Sequence, residues 1–467
     1  MINLYRRLAL LCLIVAGFTG AVKAQSTTSL QHLKKLQQQF IDDRFGMFIH
    51  FNIPTYADAD WPDPEASPAI FNPTKLNTDQ WAKAAKSANM TYGCLTTKHH
   101  SGFCIWDTKS TDYNVMNSAV KRDVVKEYVE SFRKNGLKVW LYYSILDTHH
   151  KLRPNQIVPS HMEMVKTQIT ELLTKYGKIE ALVIDGWDAP WSRISYDDIS
   201  FEDIYHLVKK LQPDCLIMDL NGAKYPKMGM YYTDIKTYEM GAGQRMDAGV
   251  NAMPALACLP IQDSWFWKTS FPTKPVKTAE SMITQLKTLN NDRCNFILNV
   301  APNRDGLFDD NAIAALKAIG QGWKNEGPLA ALPDGELPII SSNLAINQPA
   351  NSSWSDDMNI SDFANDDSFR SSWTSSPTVK EPWLEIGFKQ GTGLNTIVIA
   401  ENRANINKYK LEYYAAGAWK TILDGDKTGP IKIHRFDRVW ASKVRIQITG
   451  YNRTPSISEF QIYNEQR

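Results

Sequence analysis

From about residue 30 to residue 327, short apolar runs alternate with longer stretches whose apolar side chains recur every three or four residues. The short runs predict strands at Phe45–Phe51, Tyr92–Thr97, Val139–Ile145, Ala181–Ile184, Cys215–Met218 and Asn295–Val300. The longer ones predict helices at Asp79–Met90, Asp123–Asn135, Met162–Lys175, Phe201–Leu211, Ala279–Leu289 and Ala312–Trp323. This alternation predicts an α/β fold of successive strand–helix units, a (β/α)8 TIM-like barrel over residues 25–332. No glycine-rich phosphate turn follows a strand, so a doubly wound sheet fits less well. The span Tyr231–Trp267 is irregular, and two further strands are expected within it. A proline-rich bridge from Gly327 to Pro338 then breaks the helical pattern. Beyond it, over 333–467, alternating runs at Trp383–Phe388, Thr396–Ala400, Lys408–Tyr414, Lys443–Ile448 and Glu459–Tyr463 are separated by Gly, Asn and Asp turns, which predicts a β-sandwich.

The 467 residues carry a formal net charge of +2, with Lys and Arg scattered, so nothing points to nucleic acid. Arg6-Arg7, an apolar run from Leu8 to Val22 and polar residues after Ala24 make residues 1–24 a candidate secretory signal. That run is shorter than the roughly 20 residues a membrane span needs, and an exported protein, periplasmic or secreted, without a span is expected. Cys94, Cys104, Cys215, Cys258 and Cys294 remain after the signal, an odd and sparse set that predicts neither a disulfide framework nor a metal cluster.

Polar side chains crowd the predicted strand ends, which converge on one face in a barrel. After the second strand, Lys98-His99-His100-Ser101-Gly102-Phe103-Cys104-Ile105-Trp106 puts imidazoles beside Phe103 and Trp106. Imidazoles donate to and accept from hydroxyls, and flat apolar rings stack on the C–H face of a sugar, so carbohydrate chemistry is expected. Asp185 follows Ala-Leu-Val-Ile and precedes Gly186-Trp187, which predicts a carboxylate at the functional end beside the Trp187 indole. It is the candidate nucleophile, a helix or loop cap being the structural alternative, and Asp188 lies further into the loop. A retaining glycosidase needs a second carboxyl about 5 Å away, kept protonated. Between Gly186 and Thr278 the glutamates are Glu202, at a predicted helix start, and Glu239, in a predicted loop among aromatic and flexible residues that can bury it. Glu239 is therefore the candidate acid/base. Adjacent residues of an extended strand point to opposite faces, so neither His99-His100 nor His149-His150 is expected to hold a metal, and no cofactor is called for.

These segments resemble the retaining α-L-fucosidases of glycoside hydrolase family 29. The resemblance rests on Arg44-Phe45-Gly46-Met47-Phe48-Ile49-His50, Phe71-Asn72-Pro73-Thr74-Lys75-Leu76 before Trp81, the Lys98–Trp106 segment, Thr111-Asp112-Tyr113, Tyr142-Tyr143-Ser144, Asp263-Ser264-Trp265, and Asn295 through Pro302. It implies a barrel in which Asp185 attacks the anomeric carbon and a downstream glutamate protonates the departing oxygen of a fucosylated glycan. It implies that His50, His99 and His100 hold fucose hydroxyls, and that Trp61, Trp106 and Tyr143 line the ring and methyl group. Trp187 and Trp265 join that set, and Asp60 stands where such enzymes usually carry a glutamate. The family's Trp-Phe-Asp-Gly is Val183-Ile184-Asp185-Gly186 here, its His-Trp-Gly or His-Phe-Gly is His50-Phe51-Asn52, and the surroundings of Glu239 are altered. Such changes leave open a related sugar such as α-L-galactose, or a glycan-binding protein that has lost its chemistry.

The tail, from Leu344-Ala345 and Asn365-Asp366 through Trp373 to Trp383-Leu384-Glu385-Ile386, resembles the discoidin or coagulation factor type C sandwich, galactose-binding-like. That resemblance implies sugar binding in some members and a structural calcium in others. Asn365-Asp366-Asp367 supplies an acidic turn for calcium, an ordinary solvated turn being the alternative.

Overall fold

The computed structural model describes residues 29–226, 228–246 and 253–466. The signal expected over residues 1–24 lies outside them. The chain divides into two compact units between Pro338 and Ile339, six residues beyond the boundary expected from sequence. The proline-rich bridge stays with the first unit because its leucines are apolar enough to bury: Leu332 lies in the core with Leu33 and Phe40, and Leu329 and Leu337 pack against it. Two side chains of the leading helix, at residues 29–43, also hold the bridge. Gln38 Oε1 accepts from Leu332 N at 2.9 Å and Asp42 Oδ1 from Leu329 N at 2.8 Å.

The first unit holds eight parallel strands: β1 (Phe45–Ile49), β2 (Tyr92–Lys98), β3 (Lys138–Ser144), β4 (Ala181–Asp185), β5 (Leu216–Asp219), β6 (Lys236–Glu239), β7 (Ala255–Pro260) and β8 (Cys294–Asn299). They pair in the order β5-β4-β3-β2-β1-β8-β7-β6, a nearly closed barrel. At the seam, Asp234, just before β6, takes the place of a ladder residue. Its N–H donates to Ile217 O at 2.7 Å and its Oδ2 accepts from Ile217 N at 3.0 Å. The strands β6 and β7 are the two that the irregular span concealed.

Helices follow at Thr78–Ser87, Val124–Lys134, Pro159–Lys175, Phe201–Leu211, Ala279–Asn291 and Asp310–Gly322. Four of these starts are set by side chains that accept from backbone donors the helix leaves unused: Asn77 from Gln80 N, Asp123 from Lys126 N, Ser200 from Asp203 N and Thr278 from Ser281 N. Each loss of such a cap costs about 1 kcal/mol. These helices bury their apolar stripes against the sheet, so the barrel's chemistry is confined to its strand ends.

The second unit is an antiparallel β-sandwich. Its strands are β9 (Ala350–Ser352), β10 (Trp373–Thr374), β11 (Trp383–Glu401), β12 (Ile406–Ala415), β13 (Ala418–Asp426), β14 (Ile431–Tyr451) and β15 (Ser456–Tyr463). The runs expected as separate strands at Trp383–Phe388 and Thr396–Ala400 are one strand, β11, with register shifts between Gly387 and Thr392 and between Leu394 and Thr396. A bulge adds a residue on one side and bends the strand, so β11 continues where the polar residues between the two runs would otherwise end it. Trp373, Leu384, Ile397, Leu411, Ile446 and Phe460 fill the core.

Candidate functional site

The C-terminal ends of the strands form a cavity of about 170 Å³, lined by Phe48, His50, Asp60, Trp61, His99, His100, Asp185, Trp191, Leu220, Glu239, Cys258, Trp265 and Phe266. Asp185 is the last residue of β4 and is buried. Its Oδ2 accepts from the Tyr142 hydroxyl at 2.7 Å, and its Oδ1 from Gly186 N at 2.7 Å and Asn221 Nδ2 at 3.1 Å. Burial pushes the carboxyl above its ordinary range, and these three donors pull the other way by stabilising the charge. Tyr142 keeps its proton, because burial and then the neighbouring Asp185 charge push it well above its ordinary value.

Glu239 ends β6, so the loop expected from sequence is a strand terminus. The strand is only four residues long and bounded by Lys236 and Glu239, which is why no apolar run marks it. Burial, and after it the Asp185 charge, push Glu239 up to about 8. Asp185 has three donors that favour its charged form, whereas burial and the Asp185 charge both act to keep Glu239 neutral. The proton of the pair therefore belongs on Glu239 near neutral pH, which gives one ionised and one protonated carboxyl in a common cavity.

Three histidines surround this pair. Burial pushes His50 down to about 4 and His100 down to about 3, and holds His99 well below its ordinary value, so all three are neutral near pH 7. His50 Nδ1 meets Asn299 Oδ1 at 2.7 Å, while Asn299 Nδ2 donates to Trp265 O at 2.8 Å. The amide oxygen can only accept, so His50 Nδ1 is the donor and Nε2 an acceptor. His100 Nδ1 lies 2.8 Å from Ser144 Oγ, whose one proton goes to Leu146 O at 2.8 Å. His100 thus donates from Nδ1, and its Nε2 stands 3.7 Å from Asp185 Oδ2. His99 Nδ1 is buried without a hydrogen-bond partner among the described residues, the condition of a group that a ligand hydroxyl would satisfy.

The opposite-face reading of adjacent histidines is corrected here. The His99 and His100 rings have centres 3.9 Å apart and both line the cavity, because both lie past the end of β2, where strand alternation no longer applies. No group of three or more His, Cys, Asp or Glu side chains placed to hold a metal ion occurs among the described residues.

Of the remaining expected residues, Asp60, Trp61 and Trp265 line the cavity. Asp60 pairs with Lys268 at 3.0 Å. Trp106, Tyr143 and Trp187 do not line it, and their assignment is corrected. Trp106 is fully buried and donates from its indole to Glu171 Oε2 at 3.0 Å, on the helix Pro159–Lys175. Tyr143 faces the same helix, donating to Gln168 Oε1 at 2.6 Å and accepting from Lys98 Nζ at 3.0 Å. Side chains alternate along β3, so Tyr142 turns into the barrel and Tyr143 out of it. Trp187 is buried against Phe201 and donates to Ile199 O at 2.8 Å. Phe103 also packs away from the site, on Phe71 and Tyr113. Tyr142, Asn221, Trp191 and Phe266 were missed. Strand parity from Asp185 signals Tyr142, while Trp191 and Phe266 are aromatic neighbours of positions already singled out.

The Alpha-L-fucosidase family profile matches residues 55–327, and the F5/8 type C domain profile matches residues 345–460. The chain belongs to the alpha-L-fucosidase family. Alpha-L-fucosidase 1 of Arabidopsis thaliana is 28% identical over 449 residues, covering 90% of this chain and 85% of the relative. The human tissue alpha-L-fucosidase is 25% identical over 294 residues, covering 60% and 59%. Among solved structures, alpha-L-fucosidase isoenzyme 1 from Paenibacillus thiaminolyticus superposes with a TM-score of 0.54 at 22% identity, covering 90% of this chain and all of that one (100%). A Ruminococcus gnavus family 29 fucosidase in complex with fucose gives 0.51 at 21% identity, covering 92% and 94%. Fucosidases of this family are cofactor-independent glycosidases that act on fucosylated glycans.

In the sandwich, the acidic turn suggested for calcium is engaged internally. Asp366 Oδ1 accepts from Ser368 N at 3.0 Å and Oδ2 from Ser371 Oγ at 2.7 Å, while Asn365 Nδ2 donates to Ala345 O at 2.6 Å. These are the bonds of a self-capped turn, and calcium coordination by Asp366 would compete with them.

Proposed function

We propose that the protein is an exported, exo-acting α-L-fucosidase that releases terminal α-L-fucose from glycans with retention, through a covalent bond between fucose and Asp185. The observation that carries this reading is the divided state of the carboxyl pair: Asp185 is stabilised as a charge by Tyr142, Gly186 and Asn221, and Glu239 is pushed up to about 8 in the same cavity.

In the first step an Asp185 oxygen bonds to the anomeric carbon as the bond to the departing oxygen breaks, and Glu239 gives that oxygen its proton. In the second, Glu239 takes a proton from water, the water oxygen bonds to the anomeric carbon, and the bond to Asp185 breaks. The neutral histidines supply acceptors and donors to the sugar hydroxyls, and Phe48, Trp265 and Phe266 supply apolar faces. A cavity of about 150 Å³ holds a single benzene ring, so one of about 170 Å³ has room for one ring rather than a chain. This supports exo action. Export rests on the pattern of residues 1–24, and the test is recovery of a chain shortened by that segment outside the cytoplasm.

The decisive measurement is proton NMR of an aryl α-L-fucoside during hydrolysis, with first-formed α-fucose expected; β-fucose as first product would exclude the double displacement. Aryl α-L-galactoside serves as the competing substrate, with slower turnover expected. Glu239→Ala should slow poor leaving groups far more than activated ones, and azide should restore its rate. Equal losses on both substrate types would remove Glu239 from the acid role.

A further inference from the structure

Two of the aromatic residues that line the cavity stand exposed. Trp61 is 50% and Trp191 42% exposed, while His50, His99, His100, Asp185, Cys258 and Phe266 are buried. The two indoles meet edge to face, with ring centres 5.6 Å apart and planes at 70°, and form a corner at the mouth. Both rest on the same imidazole: Trp61 stacks on His100 at 5.0 Å and 23°, and Trp191 lies 4.5 Å from it at 47°.

Trp191 is carried by a braced turn. Asp188 N donates to Ile194 O at 2.6 Å, and Ser192 N and Arg193 N both donate to Ala189 O, at 3.1 and 2.8 Å. The Ser192 hydroxyl donates to the Gly186 carbonyl, and Asp188 pairs with Lys224. This turn starts from the same strand end that carries Asp185, so the indole is fixed relative to the nucleophile. A flat ring already ordered before binding loses little freedom when it is covered.

We infer that Trp191, with the outer face of Trp61, is the platform on which the sugar ring leaving with the departing oxygen stacks. The inference rests on the fucosidase reading. Asp185, Cys258 and Phe266 close the buried end of the cavity, so the ring that leaves with the departing oxygen extends toward the mouth, where the two indoles stand exposed. There, two apolar planes at a steep angle match the C–H face of a pyranose better than they match a flexible alkyl chain or a peptide hydroxyl.

The test compares α-L-fucosyl fluoride, whose leaving group has no ring, with a panel of α-1,2-, α-1,3-, α-1,4- and α-1,6-fucosylated disaccharides. For Trp191→Ala, kcat/KM on the best disaccharide relative to the fluoride is expected to fall about tenfold, the worth of one aromatic stacking contact. If that variant does not fold, Trp191→Leu keeps the bulk without the plane, and the same fall is expected. An unchanged ratio, or an equal loss on both donors, overturns the inference. So does wild-type protein that hydrolyses the fluoride and none of the disaccharides, an outcome that leaves the fucosidase reading standing. Failure of the wild type on every donor overturns that reading and this inference with it.

Discussion

The Tyr142 hydroxyl donates to Asp185 Oδ2 at 2.7 Å, joining the barrel's third strand to the charge at the end of its fourth. Hydrogen bonds to charged groups are worth about 1.5–3 kcal/mol. Tyr142→Phe should therefore lower kcat/KM by roughly ten- to a hundredfold. Removing a donor from the carboxylate raises Asp185 further, so the acidic limb of the pH–kcat/KM profile should move to higher pH. A limb that stays in place would show that this bond does not tune Asp185.

Asp185→Asn should reduce turnover by several orders of magnitude while the fold persists, as judged by circular dichroism and melting. It also removes a negative charge beside Glu239. Because that charge is the second cause of the shift to about 8, the Glu239 carbon resonance should titrate at lower pH in the variant. An unmoved titration would mean that the two carboxyls do not share a field.

The raised Glu239 also predicts a stability effect, with a definite sign. A carboxyl whose folded value lies above its unfolded one favours the folded state at low pH, and that contribution is lost as pH rises from about 4.5 through about 8. Glu239→Gln has no charge to bury. At pH 8 it should melt above the wild type, by about 2–4 °C for each kcal/mol of the burial penalty removed, with the gap closing toward pH 4. Thermal melts across that window check the sign. The same protonation places the basic limb of wild-type kcat/KM near pH 8.

Trp106 belongs to the packing and not to the pocket. Trp106→Phe strips Glu171 Oε2 of a buried donor, so a loss of about 1–3 kcal/mol in urea unfolding is expected. KM for an aryl fucoside should not move. A raised KM would return Trp106 to the sugar site.

Six barrel strands are legible in the sequence because strands covered on both faces read as continuous apolar runs. The same property hides direction: in Val-Trp-Leu-Tyr-Tyr-Ser every residue from Val139 is buried, so pattern alone cannot tell which tyrosine faces inward. Counting by two between paired strands does tell, since Ser144 pairs with Asp185 and Tyr142 with Val183. The strand β6 escapes because Lys236 and Glu239 bracket only two other residues. Lys236 is nonetheless buried, donating at 3.2 Å to each of the Gly222, Tyr225 and Pro226 carbonyls. Local spacing cannot reveal that kind of compensation. Asp185, the histidines and Glu239 stand out by residue type, whereas Trp191 acquires its place only through the turn that follows Asp185.

On the function proposed, recognition by uncharged imidazoles separates capture from turnover. Acidity in the range where the carboxyl pair exchanges its proton leaves the His50, His99 and His100 rings in one state. Affinity for a fucose-shaped inhibitor without a basic nitrogen should then stay nearly flat from pH 7 to pH 9, while the catalytic rate falls as Glu239 loses its proton near 8. An enzyme built this way keeps hold of its sugar as its medium turns alkaline, and the loss of one proton throttles it by chemistry alone.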